Sequence, residues 1–139
     1  MKILAATDGS NCSERAVNFA SKLASESKSK ITIVYAVPKL PPTREELVKL
    51  LKKQLGSEKE AGNKYLQKGK KIAEKFGAKT ETKLLEGNPV EEILKEAKNG
   101  RHDLIVVGSY GKGVINKFLL GSVSSKLLHL SRIPVLVVR

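Results

Sequence analysis

The stretch HDLIVVGSYGKGVINKFLLGSVS, His102–Ser124, is the one on which the fold turns. Its first eight residues are the most apolar strand candidate in the chain, a run expected of a strand buried in a sheet. Glycines follow at 108, 111 and 121, and Ser122 opens a pattern that predicts a helix carrying Val123, Leu127 and Leu130 inward. A glycine-framed interval of this kind turns the chain, or lets phosphate oxygens reach the backbone, and the residues alone leave both readings open.

Working outward, the same strand-to-helix step recurs at the start. Lys2–Thr7 is a short apolar run ended by Asp8-Gly9-Ser10, and Ser13-Glu14 opens a helix with Ala16, Val17, Ala20, Leu23 and Ala24 on one face. Ile31–Pro38 reads as a second buried strand, stopped by Pro38, Pro41 and Pro42. Thr43–Phe76 is helical in pattern, with Leu47, Leu50, Leu51 and Leu55 on one face, then Tyr65, Ile72, Ala73 and Phe76. Gly56 and Gly62 predict a break or a mobile segment there, since each interior glycine costs a helix about 1 kcal/mol relative to alanine. Lys79–Gly87 resembles an edge strand, Asn88-Pro89 a capped helix start burying Val90, Ile93, Leu94 and Ala97, and Pro134–Arg139 a last strand. Five strands alternating with four helices predict an α/β fold: an open doubly wound parallel sheet with helices on both faces.

At 139 residues, with 40% hydrophobic and 29% charged side chains, a single domain over 1–139 is expected. No apolar run has the length of a membrane span, the N-terminus lacks a signal-peptide pattern, and one cysteine, Cys12, suits a reducing compartment, so a cytoplasmic location is expected. The net charge of +12 draws polyanions, which raises a nucleic-acid or acidic-protein partner. The lysines are nevertheless interspersed with Glu45, Glu46, Glu58, Glu60, Glu74, Glu91, Glu92 and Glu96, and aromatics are only 4%, too few for a base-stacking platform.

Ligands of such sheets bind beyond the carboxyl ends of the strands where the winding reverses, which brings ATDGSNCS after strand one opposite GSYGKG after strand four. Asp8 could accept hydrogen bonds from ribose hydroxyls or simply from its own turn. Gly108 and Gly111 would admit phosphate, Gly121-Ser122 would present free helix N–H groups, Ser122 and Ser124 hydroxyls, and Lys112 a positive charge. The P-loop pattern and the dinucleotide fingerprint are both absent. Two histidines, His102 and His129, and one cysteine make no zinc set, and Cys12 is expected to be a small buried residue near a helix start.

Gly108, Gly111, Gly121 and Ser122 reproduce G-2x-G-9x-G-S/T, which resembles the nucleotide-binding signature of the universal stress protein family. Thr7-Asp8 at the end of strand one, Gly87-Asn88-Pro89, DLIVVGS and PVLVVR extend the resemblance over the whole chain. It implies strand order 3-2-1-4-5 and ATP across the ends of strands one and four, together with a divalent metal such as magnesium. Residue by residue, it implies Asp8 at the ribose, Ala36 and Val37 bordering the adenine, and Gly108, Gly111, Gly121, Ser122 and Ser124 around the phosphates, with Thr7, Lys112 and Val123 completing the expected nucleotide site. It implies a homodimer through the last strand, Val135–Val138, which an open apolar edge independently invites. The function so implied is a nucleotide-dependent stress-response module. A slow or partner-stimulated ATPase, an adenylyl-transferring enzyme and a basic nucleic-acid binder are the alternatives; no general base besides Asp8 suggests itself for hydrolysis.

Overall fold

A computed structural model describes residues 1–39, 45–111 and 119–139. Along the chain run β1 (Lys2–Ala6), α1 (Asn11–Glu26), β2 (Lys30–Val37), α2 (Glu45–Lys75) and β3 (Lys79–Glu86). They are followed by α3 (Pro89–Asn99), β4 (Leu104–Gly108), α4 (Ser122–Leu130) and β5 (Val135–Val138). The strands form one sheet, every pair parallel as the alternation of elements predicts, in the order β3-β2-β1-β4-β5 that the family resemblance implies. The Pro41-Pro42 stop and Thr43 lie outside the described residues.

Period-two alternation along the strands separates two cores. Ile3, Ala5, Ile31, Ile33 and Val106 pack under Ala16, Val17, Ala20 and Ala24 of α1 and Leu66 and Ala73 of α2. Leu4, Val34, Ile105 and Val107 face the other way, onto Val90, Ile93 and Ala97 of α3 and Leu127 of α4. Local chemistry starts the helices: Ser10 accepts the N–H of Ser13 at 3.1 Å, and Asn88 Oδ1 accepts those of Val90 and Glu91 at 3.0 and 3.2 Å with Pro89 in the first turn.

Two expectations are corrected. α2 runs unbroken through Gly56 and Gly62 for 31 residues. A Cβ on Gly62 would lie 2.5 Å from the Tyr35 ring and one on Gly69 3.2 Å from Ile33, so these glycines seat the helix closely on β2 rather than interrupt it. Gly56, with nothing within 4 Å of a Cβ, has no such packing role. Leu130, expected to point inward, is 62% exposed at the last turn of α4. In α2, Leu47 and Leu50 are likewise exposed, and every buried residue of the helix lies from Gly62 onward.

Candidate functional site

At the carboxyl ends of β1 and β4 the chain leaves a cleft of about 290 Å³. Thr7, Asp8, Ala36, Gly108, Gly111, Gly121, Ser122, Val123 and Ser124 all line it. Val37 does not: it is fully buried, and its carbonyl accepts the N–H of Gly87 at 2.8 Å. Lys112 lies outside the described residues. Sequence reasoning missed the strand residues Ala6, Val34, Tyr35 and Val107, together with Ser13, Pro89, Ile93 and Tyr110. Most of these are apolar or aromatic walls, whose place at the mouth follows from packing rather than from any local motif.

Hydrogen bonds fix the loop after β1. Ser13 Oγ donates to the Ser10 carbonyl at 2.9 Å and accepts the Asp8 N–H at 3.2 Å, while its oxygen lies 3.1 Å from Thr7 Oγ1. Thr7 Oγ1 in turn accepts the Gly9 N–H at 3.2 Å. Asp8 Oδ1 accepts the N–H of Ser10 at 2.9 Å, which is the turn role anticipated for it. Its other oxygen lies against Gly111, where a Cβ would come within 2.2 Å of Oδ2. Gly9, at φ +81, lies under Tyr65 of α2 and takes a conformation suited to glycine.

The glycines of the β4–α4 connection have neighbours of their own. A Cβ on Gly108 would meet the Cys12 backbone carbon, Cys12 Sγ and Ser13 N, each at 3.0 Å, so this glycine lets α1 approach the end of β4. At Gly121 it would meet Tyr110 Cα at 3.2 Å, and the Gly121 N–H donates to Ser109 O at 2.7 Å. Ser124 Oγ lies 3.1 Å from the Ser109 carbonyl and 3.0 Å from that of Gly121, so its single hydroxyl proton ties the first turn of α4 back to β4. These contacts draw the start of α4 against the end of β4.

Electrostatically the start of α4 differs from those of α1 and α3. Gly121 caps it without a side-chain hydrogen bond and its first turn has no acidic residue, whereas Ser10 and Asn88 cap α1 and α3, which carry Glu14 and Glu91-Glu92. The N–H groups of Ser122 and Val123, without a partner among the described residues, and the positive end of the helix dipole therefore lie at the cleft, a favourable environment for an anion.

Below the cleft Cys12 is fully buried, with Sγ 3.5 Å from Ser109 Oγ. Burial pushes its thiol up. Hydrogen bonds from the Ser109 side chain and the Tyr110 and Ser109 backbone, with the charge of Arg15, outweigh burial and lower the pKa below the ordinary value. Cys12 lies outside the lining and fills the space beside Gly108. At the opposite end of the sheet His102 is buried, with Nε2 3.1 Å from Thr32 Oγ1 and Nδ1 without a partner among the described residues. Burial, then the charge of Lys2, lowers its pKa. His129 is exposed.

Among the described residues no helix is long and apolar enough to cross a membrane. A model of the universal stress protein family matches residues 1–139. A universal stress protein of Methanocaldococcus jannaschii is 38% identical over 141 residues, covering 99% of this chain and 81% of the relative. The solved structure of universal stress protein UspA from Lactobacillus plantarum superposes with a TM-score of 0.92 at 23% identity, covering 100% of this chain and 97% of that one, a likeness of fold. The crystal structure of a universal stress protein in complex with cAMP has a TM-score of 0.77 at 31% identity, with coverage of 100% and 97%. With a family model matching residues 1–139 and a relative 38% identical over 99% of its length, this chain belongs to the universal stress protein family.

Proposed function

We propose that the chain is an adenine-nucleotide-binding regulatory module of the stress response, with ATP as its ligand. The observation that carries the reading is the pairing, in one cleft, of the Asp8 carboxylate beside Gly111 with the uncapped, acid-free start of α4. A carboxylate suits two ribose hydroxyls, and free N–H groups with a positive dipole suit phosphate. Val34, Tyr35, Ala36, Pro89 and Ile93 supply the apolar walls that a purine needs. A volume of about 290 Å³ is near the lower end for small-molecule sites, about 300–1,000 Å³, and accommodates a base and sugar with the phosphates directed to the start of α4. The related structure that holds cAMP supports an adenine nucleotide in this fold.

Among the described residues no group of three His, Cys, Asp or Glu side chains could hold a metal ion. A divalent cation such as magnesium would accordingly take its oxygen ligands from the phosphates, water and the exposed Ser122 hydroxyl. Asp8 is the one carboxylate of the described cleft wall, and its Oδ1 already accepts a backbone N–H. Water activation thus lacks a dedicated base, and binding rather than turnover is the activity we assign. The module acts as a homodimer through β5, an edge strand with half-buried valines.

Heating the purified protein in acid and chromatographing the supernatant tests the ligand class. Adenine nucleotide near one equivalent per chain, or saturable calorimetric binding of magnesium-ATP to stripped protein, is expected. Neither bound nucleotide nor measurable heat of ATP binding would overturn the assignment.

A further inference from the structure

We propose that the face at the amino ends of the strands, opposite the cleft, docks the phosphate backbone of a duplex nucleic acid. The register Lys2↔Lys30↔Lys79 puts one lysine of each of β1, β2 and β3 in a single row. Strands in a sheet lie about 4.8 Å apart, so the row presents positive charge at close intervals. Lys2 Nζ donates to the carbonyl of Gly100, which ties the row to the end of α3 and brings it towards Lys98 and Arg101. Lys28 after α1 and Lys75 at the end of α2 extend the face. All of these except Lys2 are exposed, and none of them forms an ion pair among the described residues. Glu26, Glu74 and Asp103 belong to the same end and leave it strongly positive.

Stabilisation of helix C-termini accounts for cations at Lys75 and Lys98, but not for the strand lysines. Nor does it account for backbone shape. Lys28 and Arg101 have φ of 52 and 53, in the left-handed region that favours glycine, and the corresponding α2–β3 turn does use a glycine, Gly77 at φ +72. Three of the four helix-to-strand connections use a positive φ, and two of those three place a basic residue there where the third has glycine, which points to a task for their charge.

The chemistry of the face favours nucleic acid over a membrane or an acidic protein. Around the lysines the exposed large apolar side chain among the described residues is Met1, while Leu128 and Leu130 belong to the last turn of α4 on the β4–β5 side. Lipid insertion and protein hot spots both draw on apolar or aromatic anchors, whereas a phosphate backbone needs only spaced point charges. Among the described residues a single half-buried aromatic, Phe76, stands at this end, too little for a stacking platform, which selects a duplex, with its higher charge density, over a single strand.

Fluorescence anisotropy with a labelled 20-base-pair DNA duplex of arbitrary sequence tests this, with the RNA duplex as a parallel arm. About five phosphate contacts predict a log–log salt slope near −4.5, a loss of about 500-fold between 50 and 200 mM salt. Replacing Lys28 and Arg101 together by glycine relieves their backbone while removing two charges. The Lys28→Gly/Arg101→Gly protein should melt at or above the parent temperature, and its slope should be shallower by about 1.8. Lys52→Gln/Lys53→Gln, with the same charge loss on the exposed first half of α2, should bind within about twofold of the parent. A slope shallower than about −2, an equal effect of the two charge-matched pairs, or tighter binding to single strands, phosphatidylserine vesicles or poly-glutamate would each overturn the proposal. ATP affinity, measured on the same proteins, should not change, so this proposal and the nucleotide assignment fail separately.

Discussion

Replacing Gly111 by alanine should weaken ATP binding through Asp8 alone. The new Cβ would lie 2.2 Å from Asp8 Oδ2, and reaching a tolerable 3.0 Å requires the oxygen to withdraw by about 0.8 Å. A ribose hydroxyl bonded to that carboxylate at about 2.5–3.0 Å would then stand beyond good hydrogen-bond distance. Losing one hydrogen bond to a charged group costs about 1.5–3 kcal/mol, a 10- to 150-fold rise in Kd. Asp8→Ala should cost at least as much. In the double variant the clashing oxygen is gone, so adding Gly111→Ala to Asp8→Ala should change Kd by less than about threefold. Isothermal calorimetry with magnesium-ATP on all four proteins measures the cycle, with thermal melting to confirm that each is folded. Additive losses would refute the reasoning, because the Cβ would then be acting on something other than Asp8; so would parental affinity in Gly111→Ala.

Two glycines of α2 should respond in opposite directions. Gly62→Ala drives a methyl to 2.5 Å from Tyr35 and should cost about 1–3 kcal/mol, lowering Tm by about 3–10 °C, whereas Gly56→Ala meets nothing and should raise Tm by about 2–3 °C in calorimetric scans. For His102 the folded pKa lies below the unfolded value, so its contribution is fully present above about pH 6.5 and is lost as pH falls from there through the folded pKa. Urea titrations between pH 7.5 and 5 should show that decline in the parent and a smaller one in His102→Gln; equal declines would dismiss His102 as the cause. Along β5, the carbonyls of Val138 and of Pro134 just before the strand accept from Ser109, just past β4, and from Ile105 of β4, which by alternation turns the N–H groups of Val135 and Val137 to the open edge. Val137→Pro should consequently keep the fold but sediment at 15.2 kDa where the parent sediments at twice that mass; a parent monomer, or an unaffected dimer, would rule out pairing through this edge.

The sheet was legible because its signals are local. Apolar runs ended by Asp-Gly, Gly-Ser and Asn-Pro mark β1, β4 and the start of α3, and alternation with helices leaves few topologies open. What the sequence hides is pairwise. Gly56 and Gly62 look alike along the chain, and only the approach of Tyr35 distinguishes the glycine that seats α2 from the one that merely weakens it. The same holds at the cleft: Asp8, Gly111 and Gly121 announce themselves by strand end and spacing, while Tyr35 and Ile93 reach it from elements whose packing no motif encodes. Val37, one residue beyond Ala36, turns into the core because successive strand residues face opposite ways.

The most direct test of an adenine nucleotide lying in the cleft between β1 and β4 is photolabelling with 8-azido-ATP followed by peptide mapping. The account predicts label on the end of β2, at Tyr35 or Ala36, competed away by ATP and lost in Asp8→Ala. Label concentrated instead beside Lys64 and Lys68 in the smaller cavity under α2, or no label that ATP can displace, would contradict it.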